Sequence, residues 1–199
     1  MRSLLAILLV VLLNATSAYA EVPIFKLEVV CAGFKTDCSL ALRTARDAVR
    51  LLEAQLPVKF RIIALRVERR NAYGFVGMQI DVWESYLAPL LIADGADLGL
   101  VIFGNKEPAP DSFFPNTLGV SFLGNAGIPD APRALLSRMS MRPVKVLAHE
   151  IAHALGADHD ESGLMTAFVN DKRSSYSLSR RSREQIKSHL QRVAELRIP

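Results

Sequence analysis

Four side chains suited to metal-assisted chemistry, His149, Glu150, His153 and His159, fall within eleven residues, and they include three of the chain's four histidines. On a helix, His149 and His153 lie one turn apart on the same face, so both imidazoles reach one ion. Gly156 supplies the left-handed conformation that ends such a helix, after which the chain can swing back to bring in His159. Three neutral imidazoles suit Zn2+ and leave a fourth position open for water, as in a reactive site rather than a structural one. Glu150, next to the first histidine, can take a proton from that water without binding the ion. The expected chemistry is hydrolysis of a peptide bond, with His149, His153 and His159 on zinc and Glu150 as general base and then acid.

Elements on either side must hold these groups in place. Residues 24–31, rich in β-branched and aromatic side chains, read as a strand. Asp37 or Ser39 caps a following helix whose apolar stripe is Ala45, Val49, Leu52 and Leu56. Residues 58–67 read as a second strand, 98–103 as a buried strand and 118–123 as another. Residues 81–91 form a helix that Pro89 bends or ends. The stretch 105–116, with Pro108, Pro110, Pro115 and the pair Phe113-Phe114, is a loop. The helix carrying the histidines starts near Pro143, a favourable first-turn position, and ends at Gly156. A last helix begins after Ser179, with Ile186, Leu190 and Val193 facing inward and His189 on the surface. Strands and helices alternate early and helices dominate late. The fold class expected is α+β (mixed α/β), a twisted mixed sheet with helices packed on it.

Composition bounds the setting. The chain has 199 residues, half of them hydrophobic, which suits one domain with a real core. Arg2, an apolar run over 4–13 and the Ala18-Tyr19-Ala20 cleavage signal mark residues 1–20 as a signal peptide, leaving 21–199 as a single exported domain. That apolar run is short for a membrane span and no later stretch is long enough, so no stable membrane anchor is expected. Cys31 and Cys38 would meet an oxidising compartment, and a disulfide between them would add about 2–3 kcal/mol. The formal charge is +4, with Arg180, Arg181, Arg183 and Lys187 concentrated near the end. No aromatics interleave with those cations, so nucleic acid is not an expected partner. No dense carboxylate loop of the calcium-binding kind is present.

The run His149-Glu150-x-x-His153-x-x-Gly156-x-x-His159, followed by Ser162-Gly163-Leu164-Met165-Thr166, resembles the zinc signature and methionine turn of the metzincin metalloproteases. The resemblance implies a secreted, monomeric zinc metalloendopeptidase acting on a protein or peptide substrate. It assigns Met165 to the apolar floor beneath the metal. Asp160 after the third histidine is similar to the adamalysin branch, where that carboxylate braces the site, whereas Gly163-Leu164-Met165 is closer to the matrixins. Leu118, Gly119, Val120 and Ser121 match in position the edge strand that lines the family's cleft, where a peptide can add as a further strand. Met165 follows His159 by six residues, no tyrosine comes directly after it, and no recognisable pro-segment precedes the first strand. Two other readings stand beside this one. The chain can be a zinc-binding protein without turnover, or a basic surface-binding protein acting through Arg180, Arg181 and Arg183.

Overall fold

The strand at the centre of the sheet is β1 (Ile24–Ala32), whose residues from Leu27 onward are all buried. A strand covered on both faces needs this near-continuous apolar run. The computed structural model describes residues 22–32, 37–68, 92–103, 119–129, 131, 134–138, 142–167 and 172–197. The expected signal segment, the helix over 81–91, the loop over 105–116 and Leu118 lie outside the described residues. After β1 come α1 (Cys38–Glu53), β2 (Lys59–Glu68), β3 (Leu98–Phe103), β4 (Gly119–Val120), β5 (Ala134–Arg138), α2 (Pro143–Ala154) and α3 (Arg180–Leu196). The sheet order is β2-β1-β3-β5-β4, with β4 antiparallel to β5 and every other pair parallel. The architecture is mixed α/β, as expected from the order of elements.

One face of the sheet carries the core. Phe25, Leu27 and Val29 of β1, Leu100 and Ile102 of β3 and Leu135 of β5 meet Ala41, Ala45, Ala48 and Leu52 of α1. Leu147, Ile151 and Leu155 of the α2 segment join the same cluster. The strand residues come from alternate positions, as the two-residue period requires. Small alanines on α1 bring that helix close to its neighbours. At the far edge, β2 alternates exposed and half-buried residues and leaves Ile63, Leu65 and Val67 exposed. Glu28 is buried on β1, where its carboxylate accepts from Arg66 Nε at 2.9 Å and from the Ala93 amide at 2.8 Å. A buried charge needs such partners.

Two expectations change. The strand expected over 118–123 is regular only at Gly119 and Val120 in the described residues, opposite Ser137 and Leu136 of β5. Cys31 and Cys38 are free thiols in hydrogen-bond contact rather than the expected disulfide. Burial, and then Cys38 itself, pushes the Cys31 thiol up to about 12. Among the described residues no helix is long and apolar enough to cross a membrane.

Helix α1 starts as its sequence dictates: Asp37 Oδ1 accepts from the amides of Ser39 at 2.9 Å and Leu40 at 3.1 Å. Asp37→Ala should therefore cost about 1 kcal/mol of stability. In urea denaturation the midpoint should fall with an unchanged slope, and an unmoved midpoint would show that the cap contributes nothing.

Candidate metal centre

The site is built around the end of α2. Pro143 occupies the first turn, where its missing N–H costs no hydrogen bond. The helix stops in a Schellman arrangement: Gly156 has φ +92°, the Gly156 amide bonds the His153 carbonyl at 2.8 Å, and the Ala157 amide bonds Ala152 at 2.9 Å. That reversal turns the Ala157 carbonyl onto His153, whose Nδ1 lies 2.6 Å from it. The Leu164 carbonyl does the same for His149, with Nδ1 at 2.8 Å. A carbonyl oxygen only accepts, so both rings carry their proton on Nδ1 and present a bare Nε2.

Those two Nε2 atoms are 3.0 Å apart. His159 completes the group, its ring centroid 4.7 Å from that of His153 and 5.4 Å from that of His149. One nitrogen from each of the three rings falls within 4.8 Å of the others. Bonds of about 2.0–2.1 Å would set two ligand nitrogens of a tetrahedral zinc ion roughly 3.3 Å apart. Burial first, then the neighbouring His153, pushes the His149 pKa down to about 4, and burial also lowers that of His153. Neutral rings with facing lone pairs repel one another unless a cation lies between them. The donor set fits a metal such as zinc, and the three histidines predicted from spacing are the ones brought together.

Glu150 sits on the same helix, only 5% exposed, and burial pushes its carboxyl up to about 8. It lies directly against the backbone of Gly119 at the start of β4. Val120 pairs within the strand and Ser121 follows it, half-buried. Met165 is fully buried in the turn whose preceding residue, Leu164, braces His149. Asp160 is bonded to the start of α3. Its carboxylate accepts from Ser179 Oγ, from Ser182 Oγ at 3.4 Å and from the Glu161 amide at 2.7 Å, and the Ser179 bond above all lowers its pKa. Asp160 thereby joins the His159 segment to the N-terminus of α3, where Ser179 is the cap.

Several residues at the site were not anticipated. Lys145, one turn before His149, is buried, with its ammonium donating to Ser174 Oγ and lying 5.8 Å from the Tyr176 ring centroid. Its four-residue spacing from His149 was a signal available in the sequence. His189, expected on the surface, is 3% exposed. Its Nε2 donates to the Ala126 carbonyl at 2.9 Å and its Nδ1 accepts from Arg192 at 3.1 Å. Ala126 in turn donates to the Ala154 carbonyl at 3.0 Å, and Gly124 to that of His153 at 2.9 Å. Arg192 also donates to the Gly124 carbonyl at 3.1 Å. The segment after β4 therefore bonds the Ala154 carbonyl and adds a second donor to that of His153 at the end of α2. Of the basic residues in this region, Arg180 pairs with Glu184 at 2.8 Å and Arg197 with Asp97 at 2.6 Å.

Comparison with known proteins bears on the fold. No protein-family profile and no curated protein sequence matches the chain. Solved structures do. Archaemetzincin from Methanopyrus kandleri is similar at 14% identity and a TM-score of 0.56, over 83% of this chain and 96% of that one. Metalloproteinase-II from Bacteroides fragilis is similar at 15% identity and 0.53, over 85% of this chain and 53% of that one. A chain from a structure of a chaperone–substrate complex is similar at 11% identity and 0.52, over 88% of this chain and 35% of that one. The present chain thus spans about a third of that last protein and about half of metalloproteinase-II. The chain shares the overall fold of these structures.

His189 gives the centre a pH dependence. Burial, with Arg192 beside it, lowers its pKa below the ordinary value of 6.5. The unfolded chain then binds the proton more readily, so His189 contributes fully above about pH 6.5 and its contribution declines as pH falls below that value. Chemical denaturation of the zinc-free protein at about pH 7.5 and about pH 5.5 should show a larger loss for wild type than for His189→Gln. His149 and His153 act with the same sign in both proteins and cancel. Equal losses would mean that His189 does not fold as a buried neutral ring.

Proposed function

We propose that this chain is an exported zinc-dependent peptidase of the metzincin type, hydrolysing peptide bonds in protein or peptide substrates. The observation that carries the reading is the pair of bare Nε2 atoms of His149 and His153, aimed at one point by carbonyls of two separate turns, with His159 beside them. Zinc held there would supply a Lewis acid that polarises the scissile carbonyl and acidifies a water. His149 and His153 hold their nitrogens in place through the Nδ1 bonds, so little reorganisation is needed. Glu150, adjacent to His149 in sequence and seated against Gly119, would as a carboxylate take the proton of the attacking water and return it to the leaving amine. Asp160 keeps the third ligand's segment anchored to α3, and Met165 is buried in the same core as the ligand helix. The last strand in the sheet order, β4, runs antiparallel to β5 beside Glu150 and offers an edge to an extended peptide.

The alternative of zinc binding without turnover makes a different use of position 150. A resident metal needs the imidazoles and gains nothing from a buried carboxylate next to them. The two readings part on Glu150→Gln. That variant should keep stoichiometric zinc while cleavage of a mixed-sequence peptide library falls by about 10²–10⁴-fold. Chelation should abolish cleavage by the wild type and added Zn2+ should restore it. Wild-type protein that holds zinc and cuts nothing in the library is a binding protein, and the peptidase reading then fails.

A further inference from the structure

Gly119 has no backbone reason to be glycine. The glycines of positive φ among the described residues are Gly95, Gly124, Gly127, Gly156 and Gly163; Gly119 is not one of them, and it pairs with Ser137 in ordinary antiparallel register. Any side chain could adopt that conformation, and β-branched residues would favour the strand over glycine. What glycine supplies here is space. A Cβ at 119 would lie 2.5 Å from both Cγ and Oε1 of Glu150 and 2.6 Å from its Cδ, well inside van der Waals contact. The Cα of the edge strand is therefore a wall on which the Glu150 side chain rests.

The carboxylate has little room to yield. Glu150 is nearly sealed from solvent, on a helix whose adjacent residues Ala148, Ile151 and Ala152 are fully buried. Its backbone is fixed by α2, so a group inserted at 119 moves the carboxylate and not the helix. From the missing Cβ at 119 and the seating of Glu150 against it, we infer that Gly119 is a positioning residue that sets where the Glu150 carboxylate stands relative to the three histidines. The inference rests on the peptidase reading for its functional consequence, while the juxtaposition itself concerns folding alone. Edge-strand backbone and general base thus share one surface: a peptide added along β4 is brought to the carboxylate by the strand that positions that carboxylate. Displacing a catalytic group by about 1 Å costs on the order of 10²-fold in rate.

Gly119→Ala tests this with two independent readouts. In peptide cleavage, kcat should fall by about 10²-fold with KM changed by less than about threefold, at unchanged zinc content. In thermal denaturation the substitution should lower Tm in the wild-type background and have little effect alongside Glu150→Ala, where the cleared side chain leaves room for the new methyl group. If Gly119→Ala folds poorly alone, its recovery in the Glu150→Ala background is the same positive result. An equal loss of Tm in both backgrounds, failure to fold in both, or an unchanged kcat overturns the assignment. Wild-type protein inactive with zinc bound defeats the peptidase reading, and the Tm comparison still decides whether Gly119 seats Glu150.

Discussion

The arrangement depends on two hydrogen bonds, from the Nδ1–H of His149 and of His153 to the carbonyls of Leu164 and Ala157. Without them each imidazole could present either nitrogen and rotate about its side-chain bonds. With them the tautomer, ring plane and aim of each Nε2 are set together. Neither carbonyl belongs to the helix that carries the histidines. Ala157 arrives because Gly156 takes a left-handed turn that closes the helix. Leu164 arrives because a second turn, with Gly163 at φ +85°, is held by the bond from the Leu164 amide to the Ser177 carbonyl at 2.7 Å. A Cβ at Gly163 would stand 2.5 Å from that same Ser177 oxygen. Chain reversals at two glycines therefore have a single consequence, which is the direction of two lone pairs.

The rest of the domain restrains those turns from outside. Gln55, just past α1, donates to the Tyr176 carbonyl at 3.0 Å and accepts from the Leu178 amide at 2.7 Å. That one side chain fixes the stretch onto which Leu164 is bonded. On the other side, α3 reaches the site through His189 and Arg192, which hold the 124–126 segment that covers the carbonyl end of α2. The site thus stands on a packed helix with its free carbonyls capped by tertiary contacts, as precise positioning of reacting groups requires.

Legibility in the sequence followed the range of the interactions. Spacing alone located α2, its stop at Gly156 and the three histidines, because helical periodicity and a glycine turn are local properties. The cap of α1, expected at Asp37 or Ser39 and found at Asp37, the start of α3 after Ser179 and the inward stripe of α3 were legible for the same reason. The strand β5 was not expected, since Ala134, Leu135, Leu136 and Arg138 are good helix formers placed in a sheet by their pairing with β3. His189 was misplaced because its partners, Ala126 and Arg192, come from a distant segment and from its own helix; only folding makes that ring a buried one. Gly119 was recognised as edge-strand material, but its contact with Glu150 joins residues 31 apart in sequence and no periodicity reports it.

The charges around the centre follow one logic. The acids flanking the third histidine are used structurally: Asp158 Oδ1 accepts from the His159 amide at 2.7 Å, and Asp160 is committed to Ser179 and Ser182 at the start of α3. The groups enclosed at the site are the half-buried rings of His149 and His153 and the buried carboxyl of Glu150. Burial drives both kinds of group towards their uncharged forms, lowering the imidazoles and raising the carboxyl. A dication held by imidazole nitrogens alone would keep its whole charge, since no ligand would neutralise it, and Lewis acidity is greatest under that condition. A carboxylate in the ligand set would weaken the ion as an electrophile, and Glu150, held against Gly119, lies outside the three-histidine cluster. With Glu150 outside the histidine cluster, Asp158 tied to the His159 amide and Asp160 tied to α3, the charge of a bound cation would stay unneutralised.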